Sequence, residues 1–195
     1  MPPATDWTIV IPVKGAAVAS KSRFGPGDHR DLALAMALDT VEAALAVAPV
    51  IVVTVGGAEF QSLGARVVQE SGTDLIEAIE QGLDESQGGN TAALLGDHPA
   101  LLPDELRAAL TAAAAHPLAM VADHDGSGTA LVTALAGVRH RLAFGAGSRA
   151  AHVANGYTEL TGQWPGLTRD IDVPDHLDGL RLGRRTREFL SKPQF

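Results

Sequence analysis

Short apolar runs alternate with longer stretches of helical periodicity through the first two thirds of this chain, and that rhythm restricts the fold more than any other feature. The runs at 8–13, 50–55, 65–69, 91–95 and 118–122 are rich in Val, Ile, Leu and Ala and are expected to be strands. Helices are expected at about 31–47, 57–63, 73–86 and 103–115, with a capping signal in Thr73-Asp-Leu-Ile-Glu77 and a first-turn proline in Pro103-Asp-Glu. A chain that alternates β and α in this way builds a mostly parallel mixed sheet flanked by helices, with right-handed crossovers, in the α/β class. Aromatics are 4% of the 195 residues whereas 46% are apolar, so the core must be aliphatic, and the length suits one domain.

After Asp123 glycine sets the punctuation, at Gly126, Gly128, Gly145, Gly147, Gly156, Gly162 and Gly166. This pattern suggests strands at 129–135 and 168–171 added with loops over the sheet's carboxyl edge, and helices near 148–155 and 174–181. The basic run Arg184-Arg-Thr-Arg187 reads as the solvated face of a C-terminal helix.

The formal charge of −8 argues against a nucleic-acid surface, which needs a basic face to displace counterions. The absence of cysteine excludes disulfides, thiolate zinc sites and cysteine nucleophiles. No stretch approaches the ~20 apolar residues of a membrane span, and the first residues lack a signal-peptide pattern, so a cytoplasmic protein without a membrane partner is expected.

Several segments carry chemistry. Ile9-Val-Ile-Pro-Val-Lys14 is followed by a small-residue loop with Lys21, Ser22 and Arg23, at a strand end where open α/β sheets bind ligands; its cations and backbone N–H groups suit a triphosphate. It lacks the Gly-Lys-Ser/Thr ending of a Walker A loop. In Leu95-Gly96-Asp97-His98-Pro99 a buried run ends on a carboxylate beside glycine, which suits Mg²⁺. Asp170-Ile-Asp172 in an extended segment would turn both carboxylates to one side, where with Asp97 they could hold one or two hard cations. Asp123-His-Asp125-Gly126-Ser-Gly128-Thr129 and Phe144-Gly145-Ala-Gly147-Ser148 offer backbone donors and hydroxyls, with Ser148 as a candidate helix N-cap.

Two other motif readings compete. Asp123-x-Asp125-Gly126 resembles the nucleophile motif of haloacid-dehalogenase-type phosphatases, but Thr129 falls two residues late. Gly145-x-Gly147-x-x-Ala150 has the form of a dinucleotide fingerprint, yet the helix after it is short. The histidines, among them His29, His98, His116, His124 and His152, lack zinc-like spacing and suit solvated or supporting roles; Tyr157 and Trp164 suit packing. A non-catalytic protein that presents a bound nucleotide to a partner would also use such loops.

In order along the chain, Ile11-Pro-Val-Lys14 with Lys21-Ser-Arg23, Leu95-Gly-Asp97-x-Pro99, Ala122-Asp123-x-x-Gly-x-Gly-Thr129, Phe144-Gly-x-Gly-Ser148 and Asp170-Ile-Asp172-x-Pro174 resemble the coenzyme F420 guanylyltransferases. Those enzymes act on 2-phospho-L-lactate or phosphoenolpyruvate. The resemblance implies a Rossmann-like nucleotidyltransferase fold, Mg²⁺ and GTP, and a downstream F420 transferase that takes the product. It implies that Asp97, Asp170 and Asp172 hold the metal, that Thr129, Gly145 and Ser148 bind the phosphorylated acid, and that Lys14, Lys21 and Arg23 lie along the triphosphate. Phe24 and Val173 depart from the Leu and Thr common in the family, without loss of charge. The Ala- and Gly-rich, lysine-poor composition suggests an actinobacterial source, and the actinobacterial branch is associated with phosphoenolpyruvate.

Overall fold

The computed structural model describes residues 6–13, 30–72, 74–170 and 179–191. Seven strands and seven helices alternate for most of that length. They are β1 (Trp7–Val13), α1 (Arg30–Leu45), β2 (Val50–Thr54), α2 (Ala58–Leu63), β3 (Arg66–Gln69), α3 (Leu75–Asp84), β4 (Asn90–Leu94), α4 (Pro103–Ala113), β5 (Leu118–Ala122), β6 (Thr129–Ala134), α5 (Ser148–Ala154), β7 (Thr158–Glu159), α6 (Pro165–Thr168) and α7 (Arg184–Leu190). The strands form one sheet in the order β3-β2-β1-β4-β6-β5-β7.

Both faces of the sheet are covered, which is why β2 is buried at all five positions and needs no polar alternation. Ile9 and Ile11 of β1, with Val50, Val52, Ala92 and Leu94, pack on Ala37, Val41 and Ala44 of α1 and on Leu106, Leu110 and Ala113 of α4. Val10, Ile51 and Val53 point the other way, onto Ala78 of α3. Helix α3 rides close to the sheet at Gly82, where a Cβ would fall 2.4 Å from Val10 Cγ1 and 2.8 Å from Val53 Cγ2. Asp74 caps α3 by accepting the Glu77 N–H at 2.9 Å, and Pro103 occupies the first turn of α4. Thr73, from the same sequence signal, lies outside the described residues.

β1, β2 and β3 pair in parallel, β4 joins β1 in parallel, and β7 joins β5 in parallel. β6 runs antiparallel between β4 and β5. Most of the segment expected at 129–135 is therefore a fully buried central strand, β6, rather than an addition over the sheet's edge. The cause is local. A tight turn follows β5, in which Asp123 accepts from Ser127 N at 3.0 Å and Gly128 N at 2.8 Å, and the chain returns as a hairpin.

Other expectations at the C-terminal side also change. Thr168 closes the short helix α6, started by Pro165, so the strand expected at 168–171 is absent over its described part. Residues 179–181 are not helical; the remainder of the helix expected at 174–181 lies outside the described residues.

Helix α7 docks on α1, with Phe189 and Leu190 against Leu32 and Met36. Buried Asp39 of α1 accepts from Arg185 N at 3.1 Å and Thr186 N at 2.8 Å, so it caps a helix some 146 residues away in sequence. The Arg185 guanidinium completes the latch on Asp39 and on Glu42, whose carboxyl it holds below the usual value. Arg184 remains exposed and pairs with Glu188, as a solvated face would. Asp39→Ala is expected to cost about 2 kcal/mol, the range for a buried charge-assisted bond. Urea unfolding would read that loss, and amide exchange at Arg185 and Thr186 should accelerate more than elsewhere.

Candidate active site

The strand order reverses direction between β1 and β4: the chain lays β2 and β3 on one side of β1 and then crosses to place β4 on the other. Open α/β sheets bind ligands outside the carboxyl ends of the strands at such a point. Asp97 lies three residues beyond β4 at this switch point. Gly96 lets the chain turn there against β1, since a Cβ would meet Val13 Cγ2 at 3.3 Å and Pro12 O at 3.4 Å.

A buried hydroxyl from α1 holds the Asp97 loop. Thr40 Oγ1 accepts the His98 N–H at 3.2 Å and faces the carbonyls of Met36, at 2.9 Å, and Gly96, at 3.3 Å. His98 is buried, with Nε2 3.8 Å from Asp97 Oδ1. The Pro99 carbonyl accepts the Gly183 N–H at 2.7 Å, so the loop that carries Asp97 also receives the start of α7. Asp39 and Thr40, adjacent on α1, thus anchor two separate segments.

Asp170 lies two residues beyond α6, which packs on the Asp97 loop. Gly166 packs on the Asp97 loop so closely that a Cβ would lie 2.1 Å from Ala100 O. Its N–H donates at 3.2 Å to Glu105 Oε1, a buried carboxylate in the first turn of α4. The Thr168 carbonyl accepts from His124 N at 2.8 Å, which ties the segment to the turn after β5. Asp172, Lys14, Lys21 and Arg23 lie outside the described residues. Among the described residues no group of three or more His, Asp or Glu side chains is gathered as a metal site.

Thr129 reaches this edge from the antiparallel strand. Leu94 pairs with Leu131, so two residues on from one and two back from the other, Gly96 and Thr129 arrive level. Ser148 Oγ donates to Thr129 Oγ1 at 3.2 Å, and both residues are buried. Ser148 is the first residue of α5 rather than its N-cap; Gly147, at φ 72°, holds the cap position in a left-handed conformation that favours glycine. Gly145 shapes the preceding turn by accepting the Ser148 N–H at 3.1 Å. Arg149 braces the assembly, donating to Gly126 O at 2.9 Å and to Glu159 at 3.0 Å.

His152 lies behind these hydroxyls, and Tyr157 links it to His140. His152 is fully buried, 2.9 Å from Thr129 Oγ1 through Nδ1 and 3.0 Å from the Ala143 N–H through Nε2. Its ring meets Phe144 and Tyr157 edge-on. Burial lowers its pKa, opposed by a hydrogen bond to the Ser148 backbone. His140 contacts Tyr157 Oη at 3.1 Å and Thr91 Oγ1 at 2.9 Å; burial lowers its pKa to about 4 and raises that of Tyr157 to about 12. His140 also lines a cavity of about 600 Å³ at the opposite, amino edge of the sheet, with Glu80, Asp84, Thr91 and Arg139.

The geometry disposes of the competing motifs. Both carboxylate oxygens of Asp123 are spent on the turn, Oδ1 on Ser127 N and Oδ2 on Gly128 N, an arrangement that builds a loop rather than a nucleophile. α5 spans seven residues and is followed by a two-residue strand, too little for the helix of a dinucleotide-binding unit. Thr40, Asp39 and His140 carry no motif, and Glu105 is legible only as part of the helix-start signal Pro103-Asp-Glu. For the first two a signal exists: they continue the Leu32, Ala35, Met36 stripe at helical spacing, so two polar residues sit on a face that must be buried.

The sheet order and the ligand edge define a nucleotidyltransferase-type α/β protein. A nucleotidyl transferase from Methanothermobacter superposes with a TM-score of 0.63 at 19% identity, over 87% of this chain and 93% of its own. A 4-diphosphocytidyl-2C-methyl-D-erythritol synthase from Anaerococcus prevotii does so at 0.53 and 12% identity, over 87% of this chain and 94% of its own. The family described as guanylyl transferase CofC like matches residues 7–158, and the chain belongs to that family. A phosphoenolpyruvate guanylyltransferase of Geodermatophilus obscurus is 47% identical over 91% of this chain and 89% of its own length. One from Salinispora arenicola is 43% identical over 94% and 92%. No helix among the described residues is long and apolar enough to cross a membrane.

Proposed function

We propose that the chain transfers GMP from GTP to phosphoenolpyruvate. A phosphate oxygen of the acid bonds to the α-phosphorus of GTP in line, the bond to the β-phosphate oxygen breaks, and pyrophosphate leaves. The observation that carries this reading is the arrival of Asp97 and the Thr129–Ser148 hydroxyl pair at one sheet edge, at the switch point. Relatives that span nearly all of the chain are named for phosphoenolpyruvate, which favours that acid over 2-phospho-L-lactate. The resemblance to the F420 guanylyltransferases makes a downstream F420 transferase the consumer of the product.

Both reactants are anions, so the site must offset charge and align the reacting atoms. Carboxylates at a partly exposed edge are hard oxygen donors that fit Mg²⁺, and Asp97, Asp170 and Asp172 would hold it. When bound, that ion supplies positive charge to the phosphate oxygens in flight. Lys14, Lys21 and Arg23 are assigned to the triphosphate, where their cations stabilise the departing pyrophosphate. Thr129, Gly145 and Ser148 are assigned to the phosphorylated acid. No side chain takes a proton, because the attacking phosphate is already ionised.

A coupled reaction tests this directly. The protein receives phosphoenolpyruvate and 2-phospho-L-lactate, with GTP and ATP in competition, Mg²⁺ present, and the acceptor-transfer enzyme as a trap for a labile product. Mass spectrometry is expected to find the guanylylated phosphoenolpyruvate adduct transferred to the acceptor. Absence of pyrophosphate release with either acid would discard the reading, and orthophosphate release would instead point to a phosphatase.

A further inference from the structure

We infer that His152 is a positioning residue that fixes the direction of the hydroxyl hydrogen bonds at Thr129 and Ser148, leaving the pair one proton to donate to an acceptor-only anion. The inference rests on the assignment of those hydroxyls to the phosphorylated acid.

It follows from counting protons. The Ala143 N–H can only donate, so His152 Nε2, 3.0 Å away, must present its lone pair. A neutral imidazole then carries its hydrogen on Nδ1, and the contact of 2.9 Å to Thr129 Oγ1 has the ring as donor. Burial favours the neutral ring. Thr129 Oγ1 thus accepts from His152 and from Ser148 Oγ, which donates at 3.2 Å. Its two lone pairs are filled, and its own proton is the one bond still to be made.

If Nδ1 were the acceptor instead, Thr129 would donate to the ring and Ser148 to Thr129, and no proton would remain for a ligand. Thr129 and Ser148 are 4% and 2% exposed, so the protein rather than solvent decides the direction. A carboxylate or phosphate oxygen, which has lone pairs and no hydrogen, matches the outward proton; a ligand hydroxyl gains less, since it must accept here and find a partner for its own hydrogen. Phe144 and Tyr157, edge-on at ring-centroid distances of 5.1 Å, keep the imidazole from turning over.

The test combines one spectrum with a small set of variants in the full-length protein. A long-range ¹H–¹⁵N correlation of the wild type at neutral pH is expected to show Nδ1 protonated and Nε2 bare; the reverse tautomer overturns the inference. His152→Phe keeps the ring contacts and is expected to raise the KM for phosphoenolpyruvate about tenfold or more, with the KM for GTP and kcat little changed, as for a lost binding contact. His152→Asn, whose amide N–H replaces Nδ1–H, should recover most of that loss, whereas His152→Gln, which replaces Nε2, should not. Equal behaviour of Asn and Gln overturns the inference, including where the Phe variant does not fold. Thr129→Val separates the two layers: if it raises the KM for the acid and His152→Phe does not, His152 is only structural. If Thr129→Val leaves that KM unchanged, the assignment of the hydroxyl to the acid fails, and the inference with it.

Discussion

Asp97→Asn is expected to cut pyrophosphate release about 10³-fold and to leave the fold in place. The substitution is isosteric, and Asp97 is partly exposed on a loop that contacts of its neighbours hold in place. Thr40 takes the His98 N–H, Gly183 donates to the Pro99 carbonyl, and Gly96 lies against β1. None of these changes when an oxygen becomes an amide, so thermal unfolding should move little. What changes is charge. If Asp97 holds Mg²⁺ as proposed, losing its carboxylate removes several kcal/mol of transition-state stabilisation, and each ~1.4 kcal/mol is a factor of ten in rate. Calorimetric titration with Mg²⁺ should weaken in parallel, a readout independent of turnover. A variant with a tenth or more of the wild-type rate would remove Asp97 from the catalytic set.

The part of the fold that could be read from sequence is the part in which pattern and burial agree. β1 through β5 are apolar runs separated by helices, and each lies within a residue or two of its expected place. The misread segments are those in which tertiary pairing overrides local pattern. β6 has the same composition as an edge addition, but its partner is chosen by the Asp123 turn, and that turn sends it back between β4 and β5. Thr168 and Asp170 suggested an extended segment, yet Pro165 starts a helical turn that Glu105 stabilises from 61 residues away.

The candidate site divides in the same way. Asp97, Thr129 and Ser148 stood out because a carboxylate or hydroxyl beside glycine at the end of an apolar run is itself a pattern. Their supports did not. Thr40, Glu105 and His152 act through hydrogen bonds to segments far along the chain, and spacing carries no information about such partners. Spacing alone suits His152 to a solvated or supporting role; it is fully buried in α5, and its partners are a backbone amide and a threonine on β6.

Between pH 6.5 and about 4 the protein is expected to lose about 3 kcal/mol of stability through His140 alone. Burial is the main cause of its low pKa, and the hydrogen bonds around the ring suit the neutral form. Arg141 N–H donates to Tyr157 Oη at 3.0 Å, so the phenol directs its own proton at His140 Nδ1, 3.1 Å away, and the neutral ring keeps its hydrogen on Nε2 for Thr91. Adding a proton would place Nδ1–H against the phenol proton in a site already shielded from water, with His152 nearby. The folded pKa is about 4 and the unfolded value is 6.5, so in this window the unfolded chain binds more protons and stability rises with pH. The contribution is complete above 6.5 and disappears as the pH falls to about 4; that gap corresponds to about 3 kcal/mol. His152, lowered by burial, acts with the same sign. Urea unfolding at half-unit steps would trace the slope, and His140→Gln, which cannot titrate, should flatten most of it. Equal slopes for the variant and the wild type would show that His140 does not carry the effect.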